Sequence, residues 1–226
     1  HIIEPDPCGA DVIAYYTFDR SFRDVCFGHN AQKDGSFPEQ PPTGIMNAAV
    51  RFGGDTLTRL RVPSLNGYPW GSKFSVSFWF KAFWFTEKNI RGLINNGLVS
   101  NGTGSWEIYL NTDHSIGASV VTSHSAKTWP RITETAVDHW HHLVMTYDGK
   151  TINFYLNNHL KLTDSECCHG DIVSKNSDVV LGHSGKNHRY GDYHYHDFHG
   201  YIDEMKLFKR ALTAHEVLKL YRLKVV

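Results

Sequence analysis

The residues best equipped for chemistry are gathered between His183 and His199, in the stretch HSGKNHRYGDYHYHDFH. It carries His183, His188, His194, His196 and His199, with Tyr190, Tyr193 and Tyr195 and the acids Asp192 and Asp197. On a strand, His194 and His196 would put two imidazoles on one face, a spacing suited to zinc or copper, with His188 or Asp192 folding in as further ligands. A His–Asp pair could move a proton, but no nucleophile motif accompanies it. Sugar recognition asks for directional hydrogen bonds to hydroxyls and a flat apolar face for C–H groups. His188, Arg189, Asp192, His194, His196 and Asp197 supply the first; Tyr190, Tyr193 and Tyr195 supply the second. Because binding pockets are commonly built from loops on a rigid scaffold, glycan binding is the preferred functional reading. The plain alternative is a polar surface loop with no partner.

The rest of the composition excludes several classes. Acidic and basic residues cancel at 23 each in a chain of 226, so no net field draws it to nucleic acid or an anionic membrane. No apolar run approaches the roughly 20 residues of a membrane span. Residue 1 is His rather than Met, the cysteine count is an even 4, and Asn101-Gly102-Thr103 is a glycosylation sequon in a Gly-rich loop. Together these predict a secreted glycoprotein with two disulfides. Cys8, Cys26, Cys167 and Cys168 lack C-x-x-C spacing, so zinc is not their purpose. The expectation is that Cys167 and Cys168 each bond to one of Cys8 and Cys26, tying the N-terminal segment to a late loop. Enzymatic motifs are missing: there is no E-x-D-x-x-E strand, no G-x-S-x-G elbow and no H-E-x-x-H helix. Asp203 and Glu204, adjacent on a strand, are expected to point to opposite faces and so cannot form a catalytic pair.

The elements that must position these residues are short strands. Val12–Phe18, Ala48–Phe52, Leu57–Val62, Gly92–Val99, Ser105–Leu110, Ile116–Val121 and Val179–Leu181 read as strands. Phe74–Ala82 alternates cleanly, with Phe74, Val76, Phe78 and Phe80 on one face and Ser75, Ser77, Trp79 and Lys81 on the other. His141–Tyr147 and Thr151–Leu156 flank Asp148-Gly149, a hairpin signal. Ser21 to Pro42, with its tandem prolines, reads as a long loop. The final strand, from His199, is expected to show Tyr201, Asp203 and Met205 on one side and Ile202, Glu204 and Lys206 on the other. A short helix then follows, with Thr213 and Glu216 in capping-box spacing and Leu212 and Val217 as a hydrophobic staple. This predicts an all-β protein, an antiparallel β-sandwich or jelly roll with one short C-terminal helix. It would form one domain over 1–226 with its core at about 12–221.

The ordered words of the chain resemble the LamG-like (concanavalin A-like) jelly rolls of the laminin-G/pentraxin-like superfamily. They are Ala14–Asp19 (AYYTFD), Ala48–Gly54 (AAVRFGG), Phe74–Phe80 (FSVSFWF), Trp140–Val144 (WHHLV) with Tyr147-Asp148-Gly149, and Leu181-Gly182. Gly200-x-Ile202-Asp203-Glu204 running on to Arg210-Ala211-Leu212-Thr213 and Glu216 closes the set. The resemblance spans about 12 to 221. It implies a structural Ca2+ held by Asp203 with Asp19, Asp24 and Asn30 of the loop after the first strand, because calcium takes six to eight hard oxygens. It also implies that His141 and His142 are structural, with Trp140 in or near the core. Trp79 would either pack in the core or face a concave groove. The function expected is that of a secreted lectin recognising glycans or glycoproteins, as a homo-oligomer if it crosslinks cells. An extracellular matrix or adhesion module with a protein partner is the second reading, and a glycan-processing enzyme the third.

Overall fold

The computed structural model describes residues 6–53, 58–83, 89–99, 102–124, 131–132, 137–183, 189–190 and 193–223, and for 89, 189–190 and 193–196 it describes the backbone. Phe74–Ala82 forms β5, in the middle of a seven-stranded sheet. Its neighbours are His199–Phe208 (β16) on one side and Trp140–Tyr147 (β10) on the other, both antiparallel. Val12–Tyr16 (β1) pairs with the far edge of β16, which also carries Val50–Gly53 (β3). Beyond β10 come Ile152–Leu156 (β11) and His159–Asp164 (β12). The Asp148-Gly149 signal is realised by a Gly149 φ of 98°, with Asp148 Oδ1 accepting from the Lys150 and Thr151 N–H groups.

The second sheet is nine-stranded. In spatial order it runs through Gln32–Gly35 (β2), Thr58–Val62 (β4), Val179–Leu181 (β13), Asn89–Asn96 (β6), Trp106–Leu110 (β7), Ile116–Val120 (β8) and Arg131–Ile132 (β9). Arg189–Tyr190 (β14) and Tyr193–Asp197 (β15) form a small hairpin at its side. All pairs are antiparallel except one, β15 running parallel to β6.

The two sheets close over one large core. Phe74, Val76, Phe78 and Phe80 meet Leu60, Ile94, Trp106 and Ile108 across it. Trp70 sits edge-on to Trp106 at 5.3 Å and donates its indole N–H to Asn96 Oδ1 at 3.0 Å, so this buried polar group is satisfied. The outer face of β5 is buried as well. Ala214–Arg222 (α1) lies over it, burying Val217 and Leu212 against Val12, Val144, Tyr155 and Phe208. Both halves of the capping box form: Thr213 Oγ1 accepts from Glu216 N–H, and Glu216 accepts from Thr213 N–H at 2.8 Å.

Three expectations need correction. The stretch 21–42 contains β2, an edge strand with exposed side chains, held to β4 by Asp34 reaching Arg59 and Arg61. With no buried face it leaves no hydrophobic period to read. The disulfides are Cys8–Cys26 and Cys167–Cys168, not bridges between the two pairs. Cys26 packs with the cluster beneath α1, whereas Cys168 is buried in the core between the sheets, so the two regions do not meet. The third concerns the closing strand. A bulge between Asp203 and Lys206, with Glu204 at a φ of 49°, shifts the alternation by one. Ile202, Met205 and Leu207 therefore face the core, and Asp203, Glu204 and Lys206 lie together on the side of α1.

Candidate functional site

The helix α1 covers the part of the first sheet's outer face around Trp79. Trp79 is 5% exposed and stacks on Tyr221 of α1, with His142 beside both rings. His142 donates or accepts at Ser77 Oγ over 2.9 Å, and burial pushes its imidazole down to about 3, so it is neutral. His141 is buried against Phe80 and Trp140 is half-buried against Tyr201, as expected of structural residues.

The bulge on β16 brings carboxylates together beneath the helix. Glu204 accepts a hydrogen bond from Tyr15 OH, and burial pushes it up to about 7. Asp203 is fully buried. Its Oδ2 accepts from the N–H groups of Ile45 at 2.8 Å and Met46 at 3.2 Å, and its Oδ1 from Glu204 N–H at 2.9 Å. Burial pushes Asp203 up to about 8, against the pull of those N–H groups. The two acids thus share a face, correcting the expectation of opposite ones. They still do not form a glycosidase pair, because Asp203 has no surface and Glu204 is spent on Tyr15.

The other proposed calcium ligands are engaged to different degrees, Asp24 most fully. Asp24 Oδ1 accepts from the N–H groups of Tyr15 and Cys26, both at 2.9 Å, and Oδ2 from those of Phe27 and His29, both at 3.0 Å. A carboxylate has about four lone-pair positions, and here all are taken by backbone donors. Asn30 Oδ1 accepts from Asp24 N–H at 3.1 Å, and Asp19 Oδ1 from Ala48 N–H at 3.4 Å. Calcium requires six or more oxygens turned toward it. Around Asp203 and Asp24 the neighbours are hydrogen-bond donors, so this set does not fit the ion. No group of three or more His, Cys, Asp or Glu side chains is disposed to hold a metal among the described residues.

Among the described residues, one open surface is a cleft of about 1180 Å³ formed by three loops. One wall is Thr17–Phe22, following β1; another is Phe37–Pro42; the third is Asn47–Arg51, entering β3. Asp19, Arg20, Gln40, Asn47 and Arg51 offer hydrogen bonds of both polarities, and Phe22, Phe37 and the prolines offer apolar faces. A row of rings ties this cleft to the histidine–tyrosine segment: Phe22 to Phe37 at 5.3 Å, Phe37 to Phe52 at 6.0 Å, and Phe52 to Phe198 at 6.0 Å. Gly182 closes the contact. Its φ is 78°, and a Cβ there would overlap the Phe52 ring.

Phe198 follows directly on Asp197, the described end of the predicted binding segment. His183 Nδ1 and Asp197 Oδ1 share a hydrogen bond at its root. Asn95 Nδ2 donates to His183 O and Arg91 to Asp197 O, both at 2.7 Å. The hairpin is thereby anchored to β6, with His194 to Asp197 in parallel register with Asn89 to Gly92. His188 and Asp192 lie outside the described residues, as does the sequon Asn101, and so do the side chains of Arg189, Tyr190, Tyr193, His194, Tyr195 and His196. The cleft itself was missed in the sequence. Its one signal is the aperiodic, proline-bearing stretch 21–42, which carries Phe22 and Phe37.

With this geometry in view, the chain's relatives can be named. The Laminin_G_3 family model, described as the concanavalin A-like lectin/glucanases superfamily, matches residues 52–218. The chain belongs to that superfamily. No curated protein sequence matches it. Among solved structures it is similar to domain 4 of AbnA, a GH43 extracellular arabinanase from Geobacillus stearothermophilus, in complex with arabinotriose. That match has a TM-score of 0.68 at 21% identity, covering 94% of this chain and 98% of that one. It is also similar to the botulinum neurotoxin serotype G binding domain, with a TM-score of 0.69 at 17% identity over 93% of this chain and 50% of that one. The binding domain of Paraclostridial Mosquitocidal Protein 1 gives 0.69 at 17% identity, over 93% and 52%. The chain thus spans about half the length of the toxin chains, and at these identities the likeness concerns the fold. No described helix is long and apolar enough to cross a membrane.

Proposed function

We propose that this is a secreted carbohydrate-binding protein that holds a glycan non-covalently in the three-loop cleft, with the histidine–tyrosine hairpin at its side. The observation that carries this reading is the lining of the cleft: Asp19, Arg20, Gln40, Asn47 and Arg51 around apolar faces of Phe22 and Phe37. Sugar recognition needs that combination, and the volume of about 1180 Å³ accommodates several rings rather than one. Binding of arabinotriose by the AbnA domain supports the class of ligand, though not its identity. A reaction is no part of the proposal. The test is a glycan-array screen followed by titration of Arg51→Ala and Gln40→Ala. Each substitution should weaken the selected glycan by about tenfold, as expected for one lost hydrogen bond to a charged or amide group, with the melting midpoint unchanged. Unaltered affinity in both variants would move the site away from the cleft.

A protein partner is the second reading, and one observation favours it. Val25 and Phe27 are each 50% exposed on the loop clamped by Asp24 and the Cys8–Cys26 disulfide, a fixed apolar knob that a partner can grip. An array without hits and a partner whose binding is lost in Phe27→Ala would establish it.

A further inference from the structure

We infer that Asp203 is a positioning residue that does for the 44–48 loop what a bound cation would otherwise do, so that the cleft is formed without calcium. For the cleft's role as the ligand seat, the inference rests on the function proposed above.

The 44–48 loop lies between the proline-rich wall of the cleft and the Asn47–Arg51 wall. A loop without regular structure needs its backbone groups satisfied. Extracellular loops often meet that need by turning carbonyls toward a calcium ion. Here the polarity is reversed. Ile45 and Met46 turn their N–H groups inward onto Asp203 Oδ2, and Glu204 N–H completes the set on Oδ1. An ion beside Asp203 would face the positive ends of these dipoles.

Space is closed as well as polarity. A Cβ on Gly44 would overlap the Asp203 carboxylate and the Ala48 carbonyl, so the loop backbone already lies against the acid. Gly44 N–H is bonded to Asn47 O at 3.1 Å, and Ala48 N–H reaches Asp19. Asn47 and Ala48, both on the cleft, are therefore set by Asp203 through the two residues before them. The Asp24 carboxylate repeats the arrangement with three N–H groups of its own loop and that of Tyr15 in β1. Asp203 pairs with Trp79, next to core-facing Ile202, and so lies on the outer side of the sheet; the bulge that follows it puts Glu204 on that side too.

The experiment follows the melting midpoint of the full chain in calcium chloride and in EDTA, together with hydrogen exchange of the Ile45 and Met46 amides. The expected result is a shift below about 1 °C between 10 mM calcium and EDTA. A site with a Kd of about 0.1 mM, common for extracellular modules, would raise the midpoint by roughly 5–10 °C, and that result would overturn the inference. In Asp203→Asn, exchange of these two amides should accelerate at least about tenfold more than that of core amides in β5, and calcium should not restore it. Equal protection in the variant, or rescue by calcium, would contradict the inference. Should Asp203→Asn fail to fold, Gly44→Ala lifts the same loop and is read through the same amides. Neither readout involves a sugar, so a protein that binds no glycan would leave this result standing.

Discussion

The ring of Tyr221 lies on that of Trp79 with centroids 5.4 Å apart and planes 18° from parallel. The C-terminal helix therefore covers this part of the sheet face. The helix is short, so its place depends on its cap and on Val217 rather than on its own length. Thr213→Ala removes the hydrogen bond to Glu216 N–H and should cost about 1 kcal/mol, lowering the midpoint by roughly 2–4 °C. Trp fluorescence should report partial exposure of Trp79 in the same variant. An unchanged midpoint would mean that the helix is held by its contacts alone.

Stability should depend on pH in a direction set by the acids under the helix. Glu204 is raised to about 7 and Asp203 to about 8, chiefly by burial. The folded protein therefore binds more protons than the unfolded chain between about pH 4 and those values, and its stability falls as pH rises through that window. Urea midpoints should decline from pH 5 to pH 8, and Glu204→Gln should flatten the decline. A midpoint that rises over this range would show that the two acids are charged at neutral pH.

The cysteine pairing makes a direct prediction. Non-reducing peptide mapping should recover Cys8 linked to Cys26 and no peptide joining either of them to Cys167 or Cys168. Replacing Cys8 and Cys26 together by Ser opens a loop with a sequence separation of 18 and should cost roughly 3 kcal/mol.

The histidine–tyrosine hairpin predicts a pH effect on binding. If its imidazoles reach the ligand, affinity should change between about pH 7.5 and 5.5, where unperturbed histidine gains its proton. A flat profile would confine recognition to the cleft, whose described lining contains no histidine.

What was legible in the sequence follows from what repeats. β5 alternates, and its Phe74, Val76, Phe78 and Phe80 went to the core as expected. The capping box of α1 is a local signal, and it formed. What failed were long-range or register-dependent features. One bulge, at Glu204, joined Glu204 and Lys206 to the side of Asp203 and turned Met205 away from it, because period two tolerates no insertion. β12 was missed because its side chains are largely exposed and its turn is made by Asn157 and Asn158, at φ of 51° and 67°, rather than by glycine. The cleft was missed because its walls come from loops far apart in the chain. Asp24 reads as a metal ligand by type, and only the positions of four backbone N–H groups reveal what it binds.

The most direct measurement of the central claim is titration of the array-selected glycan against the wild type and Arg51→Ala, each with calcium and with EDTA. The account predicts saturable binding that is unchanged by chelation and weakened about tenfold by the substitution. Binding abolished by EDTA, or equal in both proteins, would contradict it.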